Sequence, residues 1–168
     1  MVQDVWVANE VIVDVQGFFA TRHRMLTEDG VSLGEFTFST FNTSGVFHAA
    51  DGRELVVRRT SWWRGWHELR ADGVVLGTAR RQSFWRRTLN VGFQGAMYEL
   101  APAGFWSQGW NLSDGTGTVL VEIRSRGGLR RGAYLTILVP VDVGLLAFIY
   151  YLVNDRWHEQ TAAAAAGS

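Results

Sequence analysis

Apolar positions along this chain follow two regimes that meet near residue 140. Before it, short segments alternate. Phe36 and Phe38 interleave with Glu35, Thr37 and Ser39, and Leu89, Val91 and Phe93 with Asn90 and Gly92. Val119, Val121 and Ile123 likewise interleave with Leu120, Glu122 and Arg124. Period two marks a strand with one buried and one wet face. After the boundary, Val143 to Val153 carries no charge and Asp142 offers an N-cap, which predicts a helix over 142–157. A helix apolar on every face must be enclosed by protein or by lipid. Between the regimes, Tyr134 to Val139 reads as a buried strand that Pro140 ends, since proline has no N–H for a ladder.

Turn pairs punctuate the first regime at near-constant spacing: Asp29-Gly30, Asp51-Gly52, Asp72-Gly73, Gln94-Gly95 and Asp114-Gly115 lie 22, 21, 22 and 20 residues apart. Such pairs between alternating segments predict two-residue hairpins with positive φ at both turn residues. One hairpin per repeat, with further strands near 2–7, 10–15, 18–26 and 31–40, makes eleven or twelve strands. Closure removes the edges of so large an antiparallel sheet. About eight strands leave room only for side chains, whereas a helix needs a bore of about 10–12 Å, which suits eleven or twelve. The expected fold class is therefore mainly β: a closed antiparallel barrel of about 12 strands wrapped around a central hydrophobic C-terminal helix. Residues 1–158 form one domain, and 159–168 a low-complexity, alanine-rich tail, either a frayed helix end or a vector-derived scar. With the bore filled, ligands are left the outer surface or a rim. The competing expectation is a tail anchor, in which the apolar helix lies in a membrane.

Composition sharpens this picture in one respect. All 16 basic residues are arginine, balanced by 16 acids. The balance is uneven: residues 1–57 hold 3 arginines against 8 acids, and 58–131 hold 12 against 5. Counted from the turns, Arg22, Arg58, Arg59, Arg64, Arg80, Arg81, Arg86, Arg87 and Arg124 all lie 6 to 9 positions away, at the far end of a hairpin. Adjacent arginines inside a strand would push one guanidinium into the core, so the doublets are expected at strand ends or in loops. Trp62, Trp63, Trp66, Trp85 and Trp106 lie at similar distances, and the helix emerges there with Arg156 and Trp157. The candidate anion or lipid rim is thus Arg58, Arg59, Arg64, Arg80, Arg81, Arg86, Arg87 and Arg124 with Trp62, Trp63 and Trp85. Arginine with tryptophan suits anionic headgroups or phosphate, and stacking would also serve single-stranded nucleic acid, the less favoured partner. The bland alternative is a set of loops held by cation–π stacking and ion pairs; a protein partner stays open beside these.

Catalytic chemistry has no comparable signal. The absence of cysteine removes disulfides, thiol catalysis and thiolate metal sites. His67-Glu68 and His158-Glu159 are adjacent pairs, and His67 shares parity with Leu69, as a core histidine would. His23 and His48 have no ligand-spaced partner, no serine sits in a nucleophile elbow, and Gly115-Thr116-Gly117 lacks the helix of a phosphate loop. The expectation is a non-enzymatic domain without cofactor or metal. Asp4, Glu10 and Asp14 interrupt any leader-like run, which points to a cytoplasmic protein, peripheral at the membrane if its partner is lipid.

The run Met97-Tyr98-Glu99-Leu100, then Gly104-Phe105-Trp106-Ser107-Gln108-Gly109-Trp110-Asn111-Leu112, Asp114-Gly115 and Val119-Leu120-Val121-Glu122-Ile123 precedes the apolar helix. This arrangement resembles the Tubby C-terminal-like superfamily, which includes the phospholipid scramblases, the LURP-one-related proteins and many bacterial chains. The resemblance implies a twelve-stranded barrel around a hydrophobic helix and, since Tubby domains bind phosphoinositides and scramblases act at membranes, an anionic lipid partner or a scramblase-like membrane association. It supplies no ligand residues position by position, and the acidic cluster of a scramblase-like calcium site has no counterpart here.

Overall fold

A computed structural model of the chain describes residues 6–16, 22–39, 44–61, 63–83, 85–104, 107–127 and 131–167. Its elements are β1 (Trp6–Gln16), β2 (Arg22–Thr27), β3 (Ser32–Phe38), β4 (Ser44–Ala49), β5 (Glu54–Ser61) and β6 (Trp66–Ala71). They continue with β7 (Val74–Arg81), β8 (Leu89–Phe93), β9 (Ala96–Pro102), β10 (Trp110–Asp114), β11 (Val119–Ser125), β12 (Gly132–Asp142) and α1 (Val143–Ala166). Each strand pairs antiparallel with the next, and β1 closes the barrel on β12. The tight hairpins lie at one end, called the turn end here, and the longer connections at the other, the loop end.

Helix α1 enters at the turn end and fills the bore. The Asp142 carboxylate caps it by accepting from the Gly144 N–H at 2.7 Å. All fourteen residues from Val143 to Arg156 are buried. A helix without a polar face is matched by a wall without one: Phe36, Phe47, Leu55, Leu69, Val91, Leu100, Leu112 and Leu135 point inward and are fully buried. Gly77 on β7 makes room for Phe148, since a Cβ there would stand 3.1 Å from its ring. Among the described residues no helix is long and apolar enough to cross a membrane. The tail-anchor expectation therefore fails: the segment it placed in lipid is enclosed by this chain's own strands.

Four local expectations need correction. The break between strands 2–7 and 10–15 is a bulge inside the single strand β1, where Asn9 adopts φ 70° and the register slips between Val7 and Asn9. The same irregularity absorbs Pro140: β12 runs on to Asp142, with Val141 opposite Val7, so the proline sits in a bulge that needs no N–H. Positive φ at both turn residues occurs at Asp72-Gly73 and Gln94-Gly95 only; at Asp29-Gly30 and Asp51-Gly52 the glycine alone is left-handed. The latter close with Gly30 N–H to Thr27 C=O and Gly52 N–H to Ala49 C=O, as in longer hairpin loops where glycine takes the bulge position. Finally, α1 continues to Ala166, so the alanine-rich stretch is helical and projects beyond the barrel.

Phe148→Ala is expected to lower unfolding free energy by about 3–5 kcal/mol, because the wall cannot collapse onto the void. Ala162→Gly on the projecting part should lower it by no more than about 1 kcal/mol. Urea titration followed by circular dichroism measures both.

Candidate functional site

Inward parity along the strands carries polar groups into the bore at the loop end. On β5 the inward row is Leu55, Val57, Arg59; on β6 it is Leu69, His67; on β7 it is Gly77, Ala79, Arg81. Arg59 and His67 are direct cross-strand partners. They meet the first charged residues of α1. Asp155 Oδ2 accepts from Arg59 Nη2 at 2.7 Å and lies 3.2 Å from His67 Nε2. One turn later Glu159 takes a second bond from Arg59 at 3.0 Å and one from Arg156 Nη1 at 2.7 Å, with Arg81 Nη2 at 3.8 Å.

Arg80-Arg81 ends β7 and Arg86-Arg87 lies in the connection to β8, as expected, but one doublet inside a strand does what burial cost alone argued against. Arg59 of the Arg58-Arg59 pair is turned inward and is 14% exposed, whereas Arg58 faces out toward Glu68 at 3.6 Å. A buried guanidinium is tolerable when a carboxylate accompanies it. Burial works against the charge of Arg59, but the bond and field of Asp155 outweigh it and raise its pKa. Asp155 shows the converse: burial opposes its ionisation, yet the hydrogen bonds from His67 and Arg59 hold its carboxyl below the ordinary range. Arg81 lacks so close an acid, and burial together with the nearby Arg156 guanidinium lowers its pKa.

Beside this network, Arg81, Arg86, Arg87 and Arg156 surround a cavity of about 220 Å³ at the loop end, with Glu159, Gln160 and Ala163 completing the wall. Arg156 is 6% exposed, and its Nε and Nη2 have no hydrogen-bond partner among the described residues. Gly65, left-handed at φ 60°, brings the β5–β6 loop against the same group: a Cβ there would lie 3.7 Å from both Arg156 Nη2 and Arg81 Nε. Five arginines (59, 81, 86, 87 and 156) face two carboxylates (155 and 159), a local excess of three positive charges.

The other rim candidates are spread around it. Arg64 and Arg80 stack on the Trp66 ring at 5.0 and 4.5 Å, while Arg87 is 5.9 Å from the Trp110 ring. Trp63 and Trp85 are 91% and 90% exposed on neighbouring loops. Arg124 stands opposite Tyr134 on β11, outside the cluster; Trp62 and Trp106 lie outside the described residues. Asp155 and Glu159 were absent from the sequence-derived rim, although their spacing of four places both on one helix face. His67 is a core histidine, 2% exposed, as its parity implied. Among the described residues no three His, Asp or Glu side chains stand close enough to hold a metal ion.

No protein-family model and no curated protein matches the sequence. A solved structure does match: the Arabidopsis thaliana protein AT5G01750 superposes with a TM-score of 0.61 at 12% identity, over 89% of this chain and 93% of the plant protein. The two chains share a fold.

Asp155 gives the site a pH signature. Its folded pKa lies below the unfolded value of about 3.9. The stability it contributes is therefore present above that value and is lost as pH falls through the folded pKa. Asp155→Asn is expected to cost about 3 kcal/mol at neutral pH by leaving Arg59 and His67 facing a neutral group. The variant should also lose less stability than the parent between neutrality and the acid limb below about pH 4. Denaturant midpoints measured across that range decide both points.

Proposed function

We propose that this chain is a non-enzymatic binding domain of the Tubby C-terminal-like type, the barrel of the phospholipid scramblases and LURP-one-related proteins, and that its loop end recognises phosphate-bearing anions. The observation that carries the reading is the convergence of Arg81, Arg86, Arg87 and Arg156 on one small cavity where positive charge exceeds negative. Two guanidinium nitrogens of Arg156 are buried there without a partner among the described residues, and a donor in that state costs free energy until an acceptor reaches it. Guanidinium forks match phosphate oxygens in pairs, so several arginines around about 220 Å³ favour a compact, multiply charged oxyanion over an extended ligand.

Two sources share that chemistry: a phospholipid headgroup and a soluble phosphate compound. The exposed indoles of Trp63 and Trp85 beside the arginines favour the lipid, because tryptophan settles at the headgroup level of a bilayer. The quoted motifs of the chain and the twelve-stranded barrel around a hydrophobic helix agree with the family reading, whose known ligands include phosphoinositides.

The test is sedimentation with phosphatidylcholine vesicles, with and without phosphatidylserine, alongside calorimetric titration with pyrophosphate. Binding to the anionic vesicles alone, or to pyrophosphate alone, assigns the source. In either arm Arg86→Ala with Arg87→Ala should weaken binding by about tenfold or more, and added salt should weaken it further. Equal sedimentation with both vesicles and no heat with pyrophosphate would overturn the reading.

A further inference from the structure

The loop end holds a second cavity whose walls have a different character. It measures about 660 Å³ and lies between α1 and the strands β1, β2, β11 and β12. That volume falls within the roughly 300–1,000 Å³ usual for small-molecule sites. At about 100° per residue, Tyr150, Asn154 and Trp157 face about 140° away from Arg156 and Ala163, so the two cavities flank the helix on nearly opposite sides. Its lining combines an apolar wall with many polar side chains, Ser125, His158, Gln160 and Thr161 among them. Val15 and the Trp157 indole provide walls, and the indole is fixed edge-on by its Nε1–H donating to Gln108 C=O at 3.0 Å.

Three of its polar features bear most directly on what it can hold. Asn154 is 8% exposed and borders the cavity, where its carboxamide can both donate to and accept from a ligand. Deeper in, the Tyr150 hydroxyl and His23 Nδ1 are bonded at 2.6 Å, and burial pushes the phenol pKa well up, so Tyr150 stays a neutral hydroxyl. At the mouth stands Arg131, and among the described residues no aspartate or glutamate lines the cavity and no second arginine does. A guanidinium there favours a negative group, and one guanidinium favours a single charge over the several favoured across the helix.

We infer that this cavity is a binding site for a small monocarboxylate with a flat apolar body: the body lies along Trp157 and Val15, Asn154 bonds a polar edge, and Arg131 holds the carboxylate. The inference is independent of the phosphate reading, because the two cavities share only Gln160.

The experiment is a titration of the full chain with 2-naphthoate, followed by proton–nitrogen correlation spectra. The expected result is saturable shifts at the Asn154 side-chain amide and the Trp157 indole N–H. 2-Naphthamide should bind at least about tenfold more weakly, the loss of one charge-assisted hydrogen bond. Arg131→Ala, a change on an exposed residue, should remove that preference for the carboxylate, and Asn154→Leu should weaken both ligands without lowering the melting temperature. Arg86→Ala with Arg87→Ala should leave the titration unchanged. Absence of saturable shifts at Asn154 and Trp157, equal affinity for acid and amide, or indifference to Arg131→Ala would overturn the proposal. Should the phosphate and vesicle tests fail while this one succeeds, the loop end is a carboxylate receptor and not a phosphate binder.

Discussion

A helix with no polar side has to be surrounded, and its own diameter then dictates the size of what surrounds it. Val143 to Val153 carries no charge and, apart from the hydroxyls of Tyr150 and Tyr151, offers water nothing to bond, so its sides must meet a mostly apolar wall. Twelve strands supply a bore of that width, and some inward residues are sized to it: Leu55 and Phe93 beside Gly144, Gly77 where Phe148 projects. The strands gain closure and lose their edges in the same act. Helix and wall are each unstable without the other.

That same filling leaves only the outer surface and the rim for a binding site. The helix can remain apolar only while it is covered, and where the wall ends its sequence changes to Asn154, Asp155 and Arg156, all still buried. These three face different ways. Asp155 meets Arg59 and His67, which locks the helix against β5 and β6. Arg156 and Asn154 turn to opposite sides and each borders a cavity. One turn of helix therefore carries a structural clamp and two candidate recognition groups of opposite preference, one for dense negative charge and one for a single carboxylate.

The barrel was legible because its signals are local. A turn pair every 20 to 22 residues and period-two alternation need no knowledge of distant partners, and an uncharged eleven-residue run speaks for itself. Asn9 and Pro140 were misjudged because a bulge interrupts alternation in the same way as a chain break; only the register with the partner strand tells them apart. The inward arginines were missed for a deeper reason. Arg59 looks unburiable by itself, and the carboxylate that makes its burial tolerable lies 96 residues on. Likewise Tyr150 and His23 share nothing in sequence and a 2.6 Å contact in space. Sites assembled from both halves of a closed barrel leave no pattern in either half.

The order of elements has a consequence for biosynthesis. All twelve strands leave the ribosome ahead of the segment that fills them, and β1 waits for β12 before it has a neighbour on its second side. Until translation has passed Ala166, the nascent sheet is a row of half-greasy hairpins with nothing to close upon. Assembly cannot finish before α1 has emerged, and pairing at such long range makes it slow.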